Sequence, residues 1–168
     1  MKPEIESAFH QIGETIQRTL ADIPAPAGKV YACGFWLFYC DYTVLGPPCF
    51  AYNTVGNEKD TKWCPPEWQV DVEDRIVEAL NPIYRHVEEL MKDESEESWE
   101  MLLKYQWGFY SQLCHSLTRD AQTLLKHWQI TDDFVCGIFE EREGEDVYYQ
   151  LIKDSVGEEK AIQLGMLP

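Results

Sequence analysis

The stretch KVYACGFWLFYC, residues 29–40, decides the fold because it is apolar or aromatic at almost every position. A strand with one face in water alternates apolar and polar residues, and this run does not alternate. It therefore predicts a strand that is covered from both sides. A second run, residues 44–54, contains Pro47 and Pro48, which place its early part at a sheet edge or at a bulge. Together the two runs predict an antiparallel hairpin.

Helical periodicity lies on both sides of this hairpin. Apolar residues recur three or four positions apart over residues 5–23, and this helix should end before Pro24 because proline cannot continue it. The same spacing resumes over residues 72–91. Within it, Asn81-Pro82 predicts a kink or two consecutive helices.

The longest helix is predicted around residues 96–128, with Ser95 or Ser98 as its N-cap. A third strand is predicted over residues 133–140, followed by a short helix. The order helix, hairpin, helices, strand, helix indicates the α+β class. We therefore expect residues 1–168 to form one domain, in which several helices cover a small antiparallel sheet of about three or more strands.

The charge balance restricts the classes of partner. The chain has 14 basic and 30 acidic residues and a net charge of −16, so it should repel nucleic acid and anionic lipid and attract basic proteins. No apolar run approaches the roughly 20 residues that cross a bilayer. Most of the six cysteines lie among apolar residues, and no signal-peptide pattern follows Met1. We therefore expect reduced thiols and a cytoplasmic location.

The sequence contains no recognisable catalytic, cofactor-binding or metal-binding motif. No two of its four histidines have the four-residue spacing that converges on one ion, and no Cys-x-x-Cys pair occurs. Glycine-rich phosphate-binding loops are also missing. We therefore expect a protein that is not an enzyme, with no catalytic residue, cofactor or metal.

Two residues could still take part in catalysis. Cys64 lies in a loop before a predicted helix, whose N-terminus or a nearby His86 or His115 could activate the thiol. Packing of Cys64 against neighbouring tryptophans is the favoured interpretation. Asp41 follows the first strand and could act as a general acid or base, although a turn residue capping backbone amides is the favoured role.

Acidic residues are concentrated in two windows. Residues 88–100 contain seven acids and one base, and residues 132–146 also contain seven acids and one base. If the windows adjoin in space, they form one negative lobe that would attract a basic protein. Two independent solvated loops are the alternative. The residues predicted to contact a partner are Asp93, Glu94, Glu96, Glu97, Glu100, Asp132, Asp133, Glu140, Glu141 and Glu143.

Several short motifs resemble those of a bacterial family, the domain of unknown function numbered 4303. The shared features are a strand ending in Asp41-Tyr42, a strand closing with Asn53-Thr54, the segment WCPPEW at residues 63–68, and an Asp132-Asp133 strand followed by Ser155 in a terminal helix. The resemblance implies an association with polymorphic-toxin loci, where such proteins are candidate immunity proteins. It implies no catalytic residues, because none is established for that family.

The leading hypothesis is a cytosolic immunity-type binding protein. It would neutralise a cognate basic toxin by occluding the toxin's active or substrate-binding surface through an acidic and aromatic face. The alternative is a small enzyme or ligand sensor with a pocket between sheet and helices, lined by Tyr39, Asp41, Trp63 and Cys64. A third possibility is a homodimer, or a housekeeping domain that needs no partner.

Overall fold

The computed structural model describes residues 1–40, 44–57, 62–64, 67–69, 73–140 and 142–168, and for residues 38–40 it describes the backbone alone. Its sheet has three strands in the order β2-β1-β3. The strands are β1 (Val30–Cys40), β2 (Val44–Thr54) and β3 (Ile130–Ile138). Within these ranges the helices are α1 (Pro3–Asp22), α2 (Glu73–Met91), α3 (Glu96–Arg119), α4 (Ala121–Leu124), α5 (Glu145–Val156) and α6 (Glu158–Gln163). The α+β class is confirmed.

The predicted hairpin is confirmed, because β1 and β2 pair in antiparallel register. The pairing is irregular between Trp36 and Phe38, which lie opposite the segment containing Pro47 and Pro48. Strand β2 is also the sheet edge, where a missing backbone donor costs least. Pro47 and Pro48 therefore lie on an edge strand and also at an irregularity of the pairing, the two locations predicted for them.

The third strand corrects the prediction of an antiparallel sheet. Strand β3 pairs with β1 in parallel, so the sheet is mixed. Parallel neighbours need a crossover connection, and here helices α2, α3 and α4 lie between β2 and β3 and make that crossover. The strand was predicted correctly near residues 133–140, but its direction depends on the path of the whole crossover.

Both faces of β1 are covered, as predicted. Cys33, Phe35 and Leu37 belong to a large hydrophobic cluster with α1, α2 and α3. Ala32 belongs to a second cluster with α5, α6 and Trp68. Because side chains alternate along a strand, successive residues enter opposite clusters. The continuous apolar run at residues 29–40 is the consequence.

The helices differ from the predictions at three places. The predicted helix at 96–128 ends at Arg119, and Asp120 separates α3 from the short α4. Helix α2 continues through Pro82, so two consecutive helices are wrong. Because Pro82 has no backbone N–H, it leaves the carbonyl of Glu78, an exposed residue, without its helical donor. Helix α6, which was not predicted, follows Gly157 with φ of +92°.

Candidate functional site

Three helix ends meet at one corner of the molecule. The Nζ atom of Lys2, just before α1, lies 2.7 Å from the carbonyl oxygen of Leu90 near the end of α2 and donates to it. The same Nζ lies 2.6 Å from Oε1 of Glu94. Ser95 caps α3 by accepting a hydrogen bond from the backbone N–H of Ser98 at 3.3 Å. Lys2 therefore joins the start of α1 to the α2–α3 turn.

The acids of the first window surround this corner. Asp93, Glu96, Glu97 and Glu100 are exposed, and Glu96 and Glu97 lie in the first turn of α3, where the helix dipole favours negative charge. The hydrogen bond and charge of Lys2 lower the pKa of Glu94, which therefore stays ionised. We call these five residues the α3 acidic surface. It retains four exposed carboxylates that are free to meet a partner's cations.

An apolar groove lies next to the α3 acidic surface. Its volume is about 250 Å³, and its lining residues are Met1, Lys2, Ile5, Met91, Glu94, Ser98 and Met101. We call it the methionine groove. Met1 is 41% exposed and Met101 is 54% exposed, so apolar surface at its mouth is in contact with water. The groove therefore combines an apolar floor with the Lys2–Glu94 ion pair, and Glu97 and Glu100 are neighbours of its lining residues along α3.

The acids of the second window differ in how far their side chains are exposed. Asp132 and Asp133 are exposed at the start of β3, and Glu143 is exposed beyond its end. The prediction that Glu140 contacts a partner is wrong, because its side chain is 2% exposed. Its carboxylate accepts two hydrogen bonds from Arg142, one at Oε1 from Nε at 2.9 Å and one at Oε2 from Nη2 at 2.8 Å. This carboxylate stabilises the end of β3 and is not available to a partner. Glu141 lies outside the described residues.

The first acids of the second window lie far from the start of α3. Glu96 and Thr118 lie about 33 Å apart along α3 at 1.5 Å per residue. The backbone N–H of Cys136 donates to Oγ1 of Thr118 at 2.8 Å, and Asp133 is three residues from Cys136, about 10 Å away. Asp133 is therefore at least about 20 Å from Glu96, which exceeds the Debye length of about 8 Å in physiological salt. Asp133 and the start of α3 therefore act as separate charged regions.

The aromatic part of the predicted face stays a prediction, because the side chains that could form it in the described residues are half-buried, as for Tyr148 and Tyr149. The exposed large hydrophobic side chains there are aliphatic or methionine: Met1, Val44, Val55, Met101 and Ile162. Many aromatic rings pack inside, as in the contact of Phe35 on β1 with Tyr110 on α3 at 5.5 Å between ring centroids.

The alternative pocket between sheet and helices is assembled only in part. Trp63 lines a cleft of about 340 Å³ together with Tyr31, Val55, Lys62, Thr131, Asp133 and Leu164. The Nε1 atom of Trp63 donates to the carbonyl oxygen of Leu164 at 3.0 Å, which gives this tryptophan a structural role in the cleft wall. Cys64 does not line the cleft. Asp41 and the side chain of Tyr39 lie outside the described residues.

The candidate catalytic imidazoles are distributed over different surfaces. His86 lines a shallow depression between α2 and α1, and His115 is exposed on α3. His127 lies 2.7 Å from the carbonyl oxygen of Ile23. Within the described ranges, no three histidine, cysteine or acidic side chains are arranged to hold a metal ion. The described helices also include none that is long and apolar enough to span a membrane.

Five cysteines of the described residues are free thiols: Cys33, Cys49, Cys64, Cys114 and Cys136. Burial raises the pKa of Cys33 and Cys136 well above the usual value, and these two residues face each other across β1 and β3. Burial, followed by a hydrogen bond with Glu73, raises the pKa of Cys49 to about 12. All three stay protonated near neutral pH, so none of them is an activated nucleophile.

Comparison with models of known protein families, with curated proteins and with solved structures finds no match in any of the three.

Sequence reasoning did not identify the methionine groove or the Lys2 contact. A signal for the groove was present, because Met101 is apolar but lies outside the apolar stripe of α3, which includes Trp99 and Leu102. An apolar residue on the polar face of a helix is a candidate contact residue. No local pattern indicates that Lys2 meets Glu94, which is 92 residues away along the chain.

Proposed function

We propose that this protein is an immunity-type protein that binds and neutralises a basic bacterial toxin through the α3 acidic surface. One observation carries the proposal: four exposed carboxylates lie beside an open apolar groove at the same corner of the molecule. Acids of this kind increase association rate and specificity, and an apolar anchor supplies affinity. The resemblance to the domain 4303 family supports the same function, in the cytosol of the toxin-producing cell.

Occlusion is the mechanism that fits this surface. A basic toxin would approach along the field of the acids, which can raise association rates by about 10 to 1,000-fold. Its cationic active or substrate-binding surface would then be covered by α3 and the α2–α3 turn. No bond is made or broken in this process. The proposal therefore requires neither a catalytic residue nor a cofactor.

The test is toxicity rescue. The protein encoded beside this gene is expressed as the toxin candidate, and cell growth is measured with and without this chain. We expect the wild type to restore growth and the variant Glu97→Lys/Glu100→Lys to restore much less. The matched control is Glu14→Lys/Glu78→Lys, which makes the same change in net charge at exposed positions of α1 and α2.

Two results would contradict the proposal. The first is that the wild-type chain neither restores growth nor binds the purified candidate at low salt, where electrostatic attraction is strongest. The second is that both charge-reversal variants weaken binding equally, because total charge, and not the α3 acidic surface, would then control the association.

A small polar ligand in the cleft beside Trp63 is the second candidate function. The observation that favours it is Thr131, a residue of the cleft lining whose buried hydroxyl has no hydrogen-bond partner among the described residues. A metabolite that raises the melting temperature of the wild type but not of Thr131→Val would support this function. An unresponsive wild type across a broad library would count against it.

A further inference from the structure

We infer that the methionine groove receives an apolar side chain from a lysine- or arginine-rich amphipathic helix of the partner. This inference rests on the proposed function and specifies the recognition element of the toxin. It starts from exposure, because Met1 and Met101 are two of the most exposed large hydrophobic side chains in the described residues and both line the groove.

The groove has the size and chemistry for one large apolar side chain. Its volume of about 250 Å³ exceeds the roughly 150 Å³ of an apolar cavity that accepts benzene. Methionine side chains are flexible and polarizable, so three of them can adapt to an anchor of several shapes. Apolar helix faces commonly bind in grooves of this kind.

The charges around the groove select the sign of the incoming helix. Two lining residues carry a positive charge, Met1 at its α-amino group and Lys2 at Nζ, and Lys2 is already held by Glu94 and the carbonyl oxygen of Leu90. The exposed acids Glu97 and Glu100 lie within about one turn of Met101 on α3. A helix that carries lysines or arginines beside its apolar anchor would complement these acids, and an acidic helix would be repelled.

The four methionines of the chain provide an experiment with an internal control. Met1, Met91 and Met101 line the groove, and Met166 is buried in the second hydrophobic cluster. The protein is labelled with ¹³C at the methionine methyl groups, and NMR spectra are recorded during titration with a synthetic helical peptide of about 18 residues, or five turns. The peptide carries leucine along one face and lysine on the others.

We expect the signals of the three groove methyl groups to shift and the chemical shift of the Met166 signal to stay unchanged. One comparison peptide has the same composition in an order without an apolar face, and another has glutamate in place of every lysine. Both should bind at least about tenfold more weakly, because each lacks one of the two complementary features. Equal binding of either comparison peptide, or binding that leaves the groove signals unchanged, would overturn the inference.

Two substitutions distinguish binding in the methionine groove from non-specific binding to exposed apolar side chains. Met101→Ser removes an exposed apolar side chain from the groove, and Ile162→Ser removes one of similar exposure, 52%, from α6. The first should weaken binding of the lysine peptide by about tenfold and the second should leave it unchanged. Both positions are exposed, so neither change threatens folding. Equal effects of the two changes would contradict the assignment.

The outcomes also separate this inference from the proposed function. If the wild type and Met101→Ser neutralise the toxin equally, the immunity function stands and the groove assignment fails. If the lysine peptide binds as expected but the chain neutralises no toxin encoded beside it, the groove assignment stands and the immunity function fails.

Discussion

Gln106 is the residue with the least compatible surroundings in the described structure. Its side chain is fully buried in α3, and both its amide nitrogen and its amide oxygen lack a hydrogen-bond partner there. Burying an amide without a partner costs about 1–3 kcal/mol in proteins. A leucine of similar size would avoid this cost.

Gln106→Leu should therefore raise the free energy of unfolding by about 1–3 kcal/mol and the melting temperature by about 2 °C or more. Thermal denaturation followed by circular dichroism measures the change. The control is Gln112→Leu on the exposed side of the same helix, which should change stability little. A lower melting temperature for Gln106→Leu would show that the amide has an important partner.

The buried thiols of Cys33 and Cys136 should make the folded protein less stable at alkaline pH. Their pKa values are raised in the folded protein, whereas the thiols of an unfolded chain ionise near pH 8.5. Above that pH the unfolded state loses protons that the folded state keeps. The free energy of unfolding should therefore fall by about 1.4 kcal/mol per pH unit for each thiol.

Urea denaturation with reductant between about pH 8 and pH 10 tests this prediction. Cys33→Ala should make the decline shallower by about 1.4 kcal/mol per pH unit, whatever its effect at neutral pH. Val135→Ala, a change at a buried residue that does not titrate, should leave the slope as in the wild type. Identical slopes in all three proteins would contradict the role of these thiols.

At the scale of elements, two glycines determine how closely the second hydrophobic cluster packs on the sheet. Gly34 on β1 and Gly137 on β3 are paired, and the ring of Phe139 lies over both. A Cβ atom on Gly34 would lie 2.5 Å from the ring, and one on Gly137 would lie 3.2 Å from it. Phe139 in turn contacts Trp68 at 5.3 Å between ring centroids. The glycine pair therefore provides space for this aromatic contact.

Gly34→Ala should lower the free energy of unfolding by about 1–3 kcal/mol, because the methyl group displaces the Phe139 ring. Gly108→Ala is the matched change in α3, where a Cβ atom meets nothing within 4 Å. That substitution should stabilise the protein by about 0.5–1 kcal/mol, since alanine favours a helix over glycine. Urea denaturation of both variants checks the opposite signs. A stabilising Gly34→Ala would show that the ring can move without cost.

Some element boundaries followed local chemistry. Strand β2 begins at Val44 and ends at Thr54, as its residue pattern predicted, and Ser95 caps α3. Helix α6 was missed because its six residues are too few to show a period, and its start depends on the positive φ of Gly157. Side-chain periodicity therefore does not predict helices as short as α6.

At the scale of the whole molecule, the net charge of −16 opposes compaction through self-repulsion. Raising NaCl from about 20 mM to about 300 mM screens this repulsion and should raise the melting temperature. The increase should be smaller in Glu97→Lys/Glu100→Lys, whose net charge is −16 + 4 = −12. Thermal denaturation at the two salt concentrations gives both values. Equal salt dependence in the two proteins would mean that these acids do not contribute to the repulsion.

The sequence predicted the acidic residues of the candidate site but not which of them would be exposed. Five acids of the first window were named from the sequence, and four of them are exposed beside the groove. Glu140 belonged to the same prediction, yet it is buried against Arg142. Sequence distance cannot distinguish the two cases, because exposure depends on which remote backbone and side chains pack around a carboxylate.

The amino-acid sequence by itself determined the double coverage of β1, the hairpin and the amphipathic faces of the long helices. These features follow from side-chain periodicity and backbone sterics, which act over a few residues. Only the tertiary structure decided that β3 lies parallel to β1 and that Met1 and Met101 share one groove. Both facts depend on how helices from distant parts of the chain pack, because that packing sets the path of a crossover and brings remote side chains together.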